Sequence, residues 1–154
     1  HRLPKRQPIA QRSGKIVVGT WEYLCKSDES NVTIIAVGER CLIIALKVVQ
    51  AMEEKGIKGK IDVINGRFIK PLDKKMLSAL RGNVITVEDN VLAGEAVEHE
   101  LVTEDENKAP GQRRTFRAFA YKDCFIPQGS VASLQKQYGV SCEEIQDYIE
   151  NLLQ

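Results

Sequence analysis

The sequence predicts an α/β fold, a three-layer domain with helices on both faces of a mostly parallel sheet. Short apolar, β-branched runs recur at residues 32–37 (VTIIAV), 60–64 (KIDVI) and 83–87 (NVITV). Segments with apolar residues at helical spacing separate these runs. The connections are short, and such alternation builds parallel strands joined by crossover helices. The apolar runs are continuous rather than alternating, which suits strands covered on both faces.

Taken in order, residues 1–13 are polar, carry two prolines and read as a linker arm, followed by one domain over 14–154. The chain opens on His1 rather than methionine, and this basic arm predicts a piece cut from a longer chain at a domain linker. Residues 15–24 (KIVVGTWEYL) are β-rich and predict a strand bent at Gly19. After the 32–37 strand, Gly38 releases the chain into a helix over about 40–55, with Leu42, Ala45, Leu46, Val49 and Met52 on one face and Gly56 as its stop. Asp73 caps a short helix to Leu80, ended by Gly82. A helix over about 94–102 follows the 83–87 strand, then a polar loop over 103–114 and an alternating strand over 115–121 (TFRAFAY). Residues 130–138 and 143–153 predict helices, the last preceded by the Ser141/Glu144 capping box.

Bulk properties narrow the function classes. Lysine and arginine nearly balance aspartate and glutamate, and a net charge of +1 gives no field directed at nucleic acid or an anionic membrane. No apolar run approaches the roughly 20 residues of a spanning helix. No signal peptide opens the sequence, and a cytoplasmic location is expected. The four cysteines, Cys25, Cys41, Cys124 and Cys142, show no C-x-x-C spacing, so they read as small buried thiols rather than zinc ligands.

In an open parallel sheet, ligands gather outside the carboxyl ends of the strands. Three glycine-containing polar loops leave those ends, at residues 38–40, 65–73 and 88–94. The first has one glycine where a dinucleotide fingerprint needs three. In the second, Arg67 follows Gly66 at a strand end. Its planar guanidinium suits a bidentate grip on phosphate, or an ion pair with Asp73 or Glu88. His99, between Glu98 and Glu100, reads as solvated, as does the Glu95/Glu98/Glu100 face. Arg113, Arg114 and Arg117 form a basic patch, with Phe116 and Phe119 facing the core.

Beyond these loops the chain resembles a known family. The run IDVINGRFIKPLD (61–73) resembles the Arg-Phe-x-Lys-Pro-Leu-Asp signature of the 1-deoxy-D-xylulose 5-phosphate synthases. ITVEDNVLAG (85–94) and DCFIPQGS (123–130) are similar to later segments of that family, in the same order. The resemblance implies a transketolase C-terminal domain, with a five-stranded, mostly parallel sheet and one antiparallel strand. It implies a parent enzyme that decarboxylates pyruvate on thiamine diphosphate with Mg²⁺. The enzyme joins the two-carbon unit to glyceraldehyde 3-phosphate, for isoprenoid and thiamine precursor synthesis, as a homodimer. Cofactor, metal and catalytic groups are then expected in upstream domains, because the Gly-Asp-Gly…Asn element is missing here. No catalytic, cofactor-binding or metal-binding residue is assigned to this chain. Two phosphate contacts carry over: Arg67, and Arg2 in the arm, where Arg-Leu-Pro-Lys stands for the family's Arg-Tyr-Pro-Arg. The sequence departs from the family after Gly94, where Glu95-Ala96-Val97 replaces a glycine-rich turn. Two alternatives stand beside this reading: a non-catalytic binding or regulatory module of the same fold, and the C-terminal domain of another transketolase-family enzyme.

Overall fold

The computed structural model describes residues 16–67, 69–89, 92–120 and 141–154. Five strands form one sheet: β1 (Glu22–Cys25), β2 (Val32–Ala36), β3 (Ile61–Asn65), β4 (Asn83–Glu88) and β5 (Thr115–Ala120). Their spatial order is β1-β3-β2-β4-β5. β1 runs antiparallel to β3, and every other pairing is parallel. Among the described residues four α-helices accompany them, α1 (Glu39–Glu54), α2 (Lys74–Ala79), α3 (Leu92–Asp105) and α4 (Cys142–Leu153), with a 3-10 turn at Pro110–Gln112. The predicted helix at 130–138, Cys124 and the linker arm with Arg2 lie outside the described residues.

Strand alternation divides the core into two layers. Val32, Ile34 and Ala36 of β2 face α1 and α4, where Cys41, Ala45, Val48, Met52, Ile145 and Ile149 complete one apolar cluster. Ile35, Ile64 and Val84 point to the other face and meet Leu77 of α2 and Val97 and Leu101 of α3. Every residue of β2 is buried, as a central parallel strand covered on both faces requires. Phe119 and Phe116, three residues apart on β5, pack into opposite layers.

Helix ends follow local chemistry. Beyond Glu54 the Gly56 amide reaches Glu53 O and the Ile57 amide reaches Met52 O, the double closure of a Schellman motif. Ile57 then packs against the first core cluster. Asp73 accepts from the Met76 amide at 2.9 Å and caps α2. Ser141 Oγ accepts from the Glu144 amide at 3.5 Å ahead of α4.

Three expectations need correction. The first strand is short: residues 16–20 lie outside it, Thr20 closes a turn onto Val17 O, and pairing begins only at Glu22. The buried face of α1 is Cys41, Ile44, Ala45, Val48, Val49 and Met52, whereas Leu46 is exposed and Leu42 half-buried. Apolar residues 41–46 surround that end of the helix, so spacing alone does not choose the face. Finally, α3 spans 92–105 rather than 94–102. It continues into the predicted loop because Asp105 is held there by Arg114 at the head of β5.

Candidate functional site

The parallel strands run level, with Val32 opposite both Ile61 and Asn83. Their carboxyl ends therefore finish together. The Gly66 amide donates to Ala36 O at 2.9 Å, and the Val37 amide donates to Val87 O at 2.9 Å. These two bonds lock the starts of the three glycine-containing loops side by side. Gly66 is required by crowding, since an added Cβ would fall 2.8 Å from Ile35 Cγ2.

Arg67 leaves this rim and folds back over the start of β1. Its Nη2 lies 3.4 Å from Thr20 O and its Nη1 lies 3.6 Å from Glu22 Oε2. Its Nε is buried and has no hydrogen-bond partner among the described residues. The side chain is 24 % exposed. Neither Asp73 nor Glu88 is its partner, contrary to the expectation from spacing. Asp73 serves both loops at once: one carboxylate oxygen caps α2, and the other accepts from the Trp21 amide at 2.8 Å. That tether fixes Thr20 and Glu22 beside Arg67. Gly19, at φ 80°, makes the preceding turn, and a Cβ there would sit 3.0 Å from Pro71 Cγ.

Glu88 turns inward from the end of β4. Its two oxygens accept from the Ala93 amide at 2.9 Å and the Gly94 amide at 2.6 Å, so it anchors the first turn of α3. Burial pushes its carboxyl above the ordinary value, and the Gly94 and Ala93 amides pull against that shift. Cys41, buried beside this loop, has its thiol pushed up to about 12, first by burial and then by the charge and hydrogen bond of Asp89. A thiol so raised is a poor nucleophile. Among the described residues, Cys25, Cys41 and Cys142 are not joined to one another by a disulfide.

The remaining candidates are structural. His99 is exposed, as are Glu95 and Glu98, while Glu100 is half-buried and pairs with Lys74 at 3.8 Å. The arginines of the expected basic patch are engaged separately. Arg114 is buried between Glu104 and Asp105, and Arg113 donates to the carbonyls of Lys108 and Glu106. Arg117 lies over the Phe119 and Tyr148 rings at 5.4 and 5.6 Å. A cleft of about 440 Å³ beside α3, lined by Leu101, Val102, Phe116 and Arg114, lies away from the Arg67 loop. Among the described residues no group of three or more His, Cys, Asp or Glu side chains could hold a metal ion, and no helix is long and apolar enough to cross a membrane.

Comparison with known proteins places this architecture. Residues 19–145 match the family described as transketolase, C-terminal domain. The chain belongs to that family. It is 35 % identical over 144 residues to the 1-deoxy-D-xylulose-5-phosphate synthase of Clostridium beijerinckii, covering 90 % of this chain and 22 % of the relative. It is 36 % identical over 141 residues to synthase 1 of Geobacter sulfurreducens, covering 90 % of this chain and 21 % of that protein. The chain thus spans about a fifth of the length of these relatives. Among solved structures, a split-gene transketolase, an inactive beta4 tetramer, superposes with a TM-score of 0.70 at 23 % identity, covering 90 % of this chain and 44 % of that one. At that identity the likeness speaks for the fold.

Within this transketolase C-terminal domain, the loop around Arg67 divides into two kinds of residue. Asp73 is architectural, because both its oxygens are committed to backbone amides. Arg67 carries the loop's side-chain charge toward β1 and leaves its Nε–H uncommitted among the described residues. Sequence reasoning missed Thr20 and Glu22 as its neighbours. No sequence signal marked them, because Glu22 meets the β3 loop only through the antiparallel pairing of Glu22 with Asn65.

Proposed function

We propose that this chain is the C-terminal domain of a thiamine-diphosphate-dependent 1-deoxy-D-xylulose 5-phosphate synthase. The parent reaction converts pyruvate and glyceraldehyde 3-phosphate to 1-deoxy-D-xylulose 5-phosphate and CO₂. The similarity to the synthases over nine-tenths of the chain supports this reading. Cofactor and metal belong to upstream domains, and this domain supports the dimer and receives the phosphate end of the aldehyde.

The observation that carries the local role is the state of Arg67. It is a largely sheltered guanidinium on the carboxyl-end rim, its contacts are 3.4 and 3.6 Å long, and its Nε has no partner among the described residues. A phosphate oxygen would form shorter, charge-assisted bonds than either present neighbour. Arg2, outside the described residues, is the proposed second contact. Two forks on the non-reacting end would fix the aldehyde carbon in line for attack, so that orientation rather than chemistry is supplied by this domain.

The test is Arg67→Ala in the full parent protein. The KM for glyceraldehyde 3-phosphate should rise about 10- to 100-fold, the loss of one or two charge-assisted hydrogen bonds. Binding of pyruvate should be unchanged. An unaltered KM for the aldehyde would remove Arg67 from the site.

A further inference from the structure

We propose that Glu22 is the counter-ion of Arg67: it holds the guanidinium against β1 when no anion is bound, and an arriving anion competes with it. This inference rests on the anion-receiving role proposed above and adds a residue that tunes it.

The geometry supports a latch rather than a structural ion pair. Glu22 Oε2 stands 3.6 Å from Arg67 Nη1, near enough for attraction and too far for a good hydrogen bond. Glu22 is 21 % exposed and Arg67 24 %, so water reaches both and their separation leaves no buried charge stranded. The pair sits on fixed supports. Trp21 is tied to Asp73, Glu22 is in register with Asn65, and Gly66 is pinned to Ala36 O. The backbone is thus held on both sides while the side-chain contact stays loose. The latch requires only a side-chain rotation of Arg67 away from Glu22, with the backbone held where it is.

A carboxylate at this position has two consequences. It keeps Arg67 extended and ordered, which lowers the ordering cost of binding. It also repels any anion that reaches Arg67, and more strongly if the anion carries two charges. Affinity at the site is then set by the difference between the phosphate and Glu22 as partners of one guanidinium, and Glu22 acts as a positioning residue.

The experiment is a titration of the whole chain with inorganic phosphate, followed at the backbone amide resonances of residues 66 and 67, which every variant retains. It compares the native protein with Glu22→Gln, Glu22→Asp, Arg67→Ala and the Glu22→Gln/Arg67→Ala pair, with formate as a singly charged control. Glu22→Gln should bind phosphate about three- to tenfold more tightly, the size of one removed charge at this distance in a partly solvated setting. The gain should be smaller with formate and absent when Arg67 is also replaced. Glu22→Asp, which withdraws the charge by one methylene, should fall between native and Glu22→Gln, and it serves if the glutamine variant folds poorly. Phosphate affinity that is Arg67-dependent yet equal or weaker in both Glu22 variants would overturn the latch and leave the anion role standing. A gain that persists without Arg67 would also overturn it. Absence of phosphate binding in every protein would overturn both readings.

Discussion

Among the described residues two arginines are sheltered by the fold, and they are held in opposite ways. Arg114, 3 % exposed, has short bonds throughout: Nη2 reaches Glu104 Oε2 at 2.7 Å and Asp105 Oδ1 at 2.8 Å, and Nη1 reaches Leu77 O at 2.5 Å. Its own amide also donates to Asp105 at 2.8 Å. Arg67 has one long contact to a carbonyl, one long contact to a carboxylate and a bare Nε among the described residues. The first joins α2, α3 and β5 into one body, and the second leaves most of its bonding capacity unspent at the rim where ligands of parallel sheets gather. The short, complete bonding of Arg114 is architecture, and the anion role proposed for Arg67 rests on the looser contacts of that side chain.

Removing Arg114 should have the largest effect in the molecule. Arg114→Ala takes the guanidinium from Asp105, itself 5 % exposed, with Lys108 at 2.8 Å still beside it. The expected loss is about 2–4 kcal/mol in a denaturant titration, from the charge-assisted bonds to Asp105 and Glu104 and the donor taken from Leu77 O. A loss below about 1 kcal/mol, the range of exposed pairs, would dissolve the contrast between the two arginines.

The same pair predicts an acid response. Hydrogen bonds from Arg114 hold Asp105 far below its ordinary value of 3.8, against the opposing pull of burial. For Glu104, burial pushes up, but the Ser78 hydroxyl and Arg114 together leave its carboxyl below the ordinary value. A carboxyl depressed in the folded state gives stability above its unfolded value and loses it as pH falls through that value toward the depressed one. Thermal midpoints of the native chain should therefore fall as pH drops below about 4. Asp105→Asn should begin lower at neutral pH and show a shallower acid slope. Parallel slopes in the two proteins would mean that Asp105 does not carry the acid response.

Intermediate effects should come from the supports of Arg67. Gly66→Ala forces a methyl against Ile35 and should cost about 1–3 kcal/mol. Asp73→Ala removes the cap of α2 and the tether to Trp21, and should cost about 0.5–2 kcal/mol for the cap alone. Gly66→Ala should also weaken any phosphate response by displacing Arg67, the next residue in the loop. The smallest effect on stability belongs to Arg67→Ala, within about 1 kcal/mol, because its contacts are long and partly solvated.

This contrast also marks what the sequence could tell. The β-branched runs at 32–37, 60–64 and 83–87 announced the parallel strands, because a strand buried on both faces needs side chains apolar at every position. Asp73, Gly56 and Ser141 announced helix ends, because capping is local chemistry within a few residues. The position of Arg67 at the end of β3 was equally readable. Its partners were not. Glu22 reaches it through an antiparallel edge strand whose pairing no local pattern specifies. The end of α3 was misread for the same reason: Asp105 looks like a loop residue until Arg114, nine positions on, is folded against it. The outer side of α1 was misassigned because apolar residues 41–46 run around the helix, and only the sheet beneath decides which of them are buried.

The central claim is that Arg67 is held ready for an anion. Its most direct test is the Arg67 Nε–H resonance of the whole chain during titration with inorganic phosphate at low salt. The account predicts a saturable shift of that resonance, weakened by added salt, and no saturable shift of the neighbouring Gly66 amide in Arg67→Ala. A resonance that stays fixed, in a chain whose other signals show it folded, would contradict the account and make Arg67 a surface ion pair of Glu22.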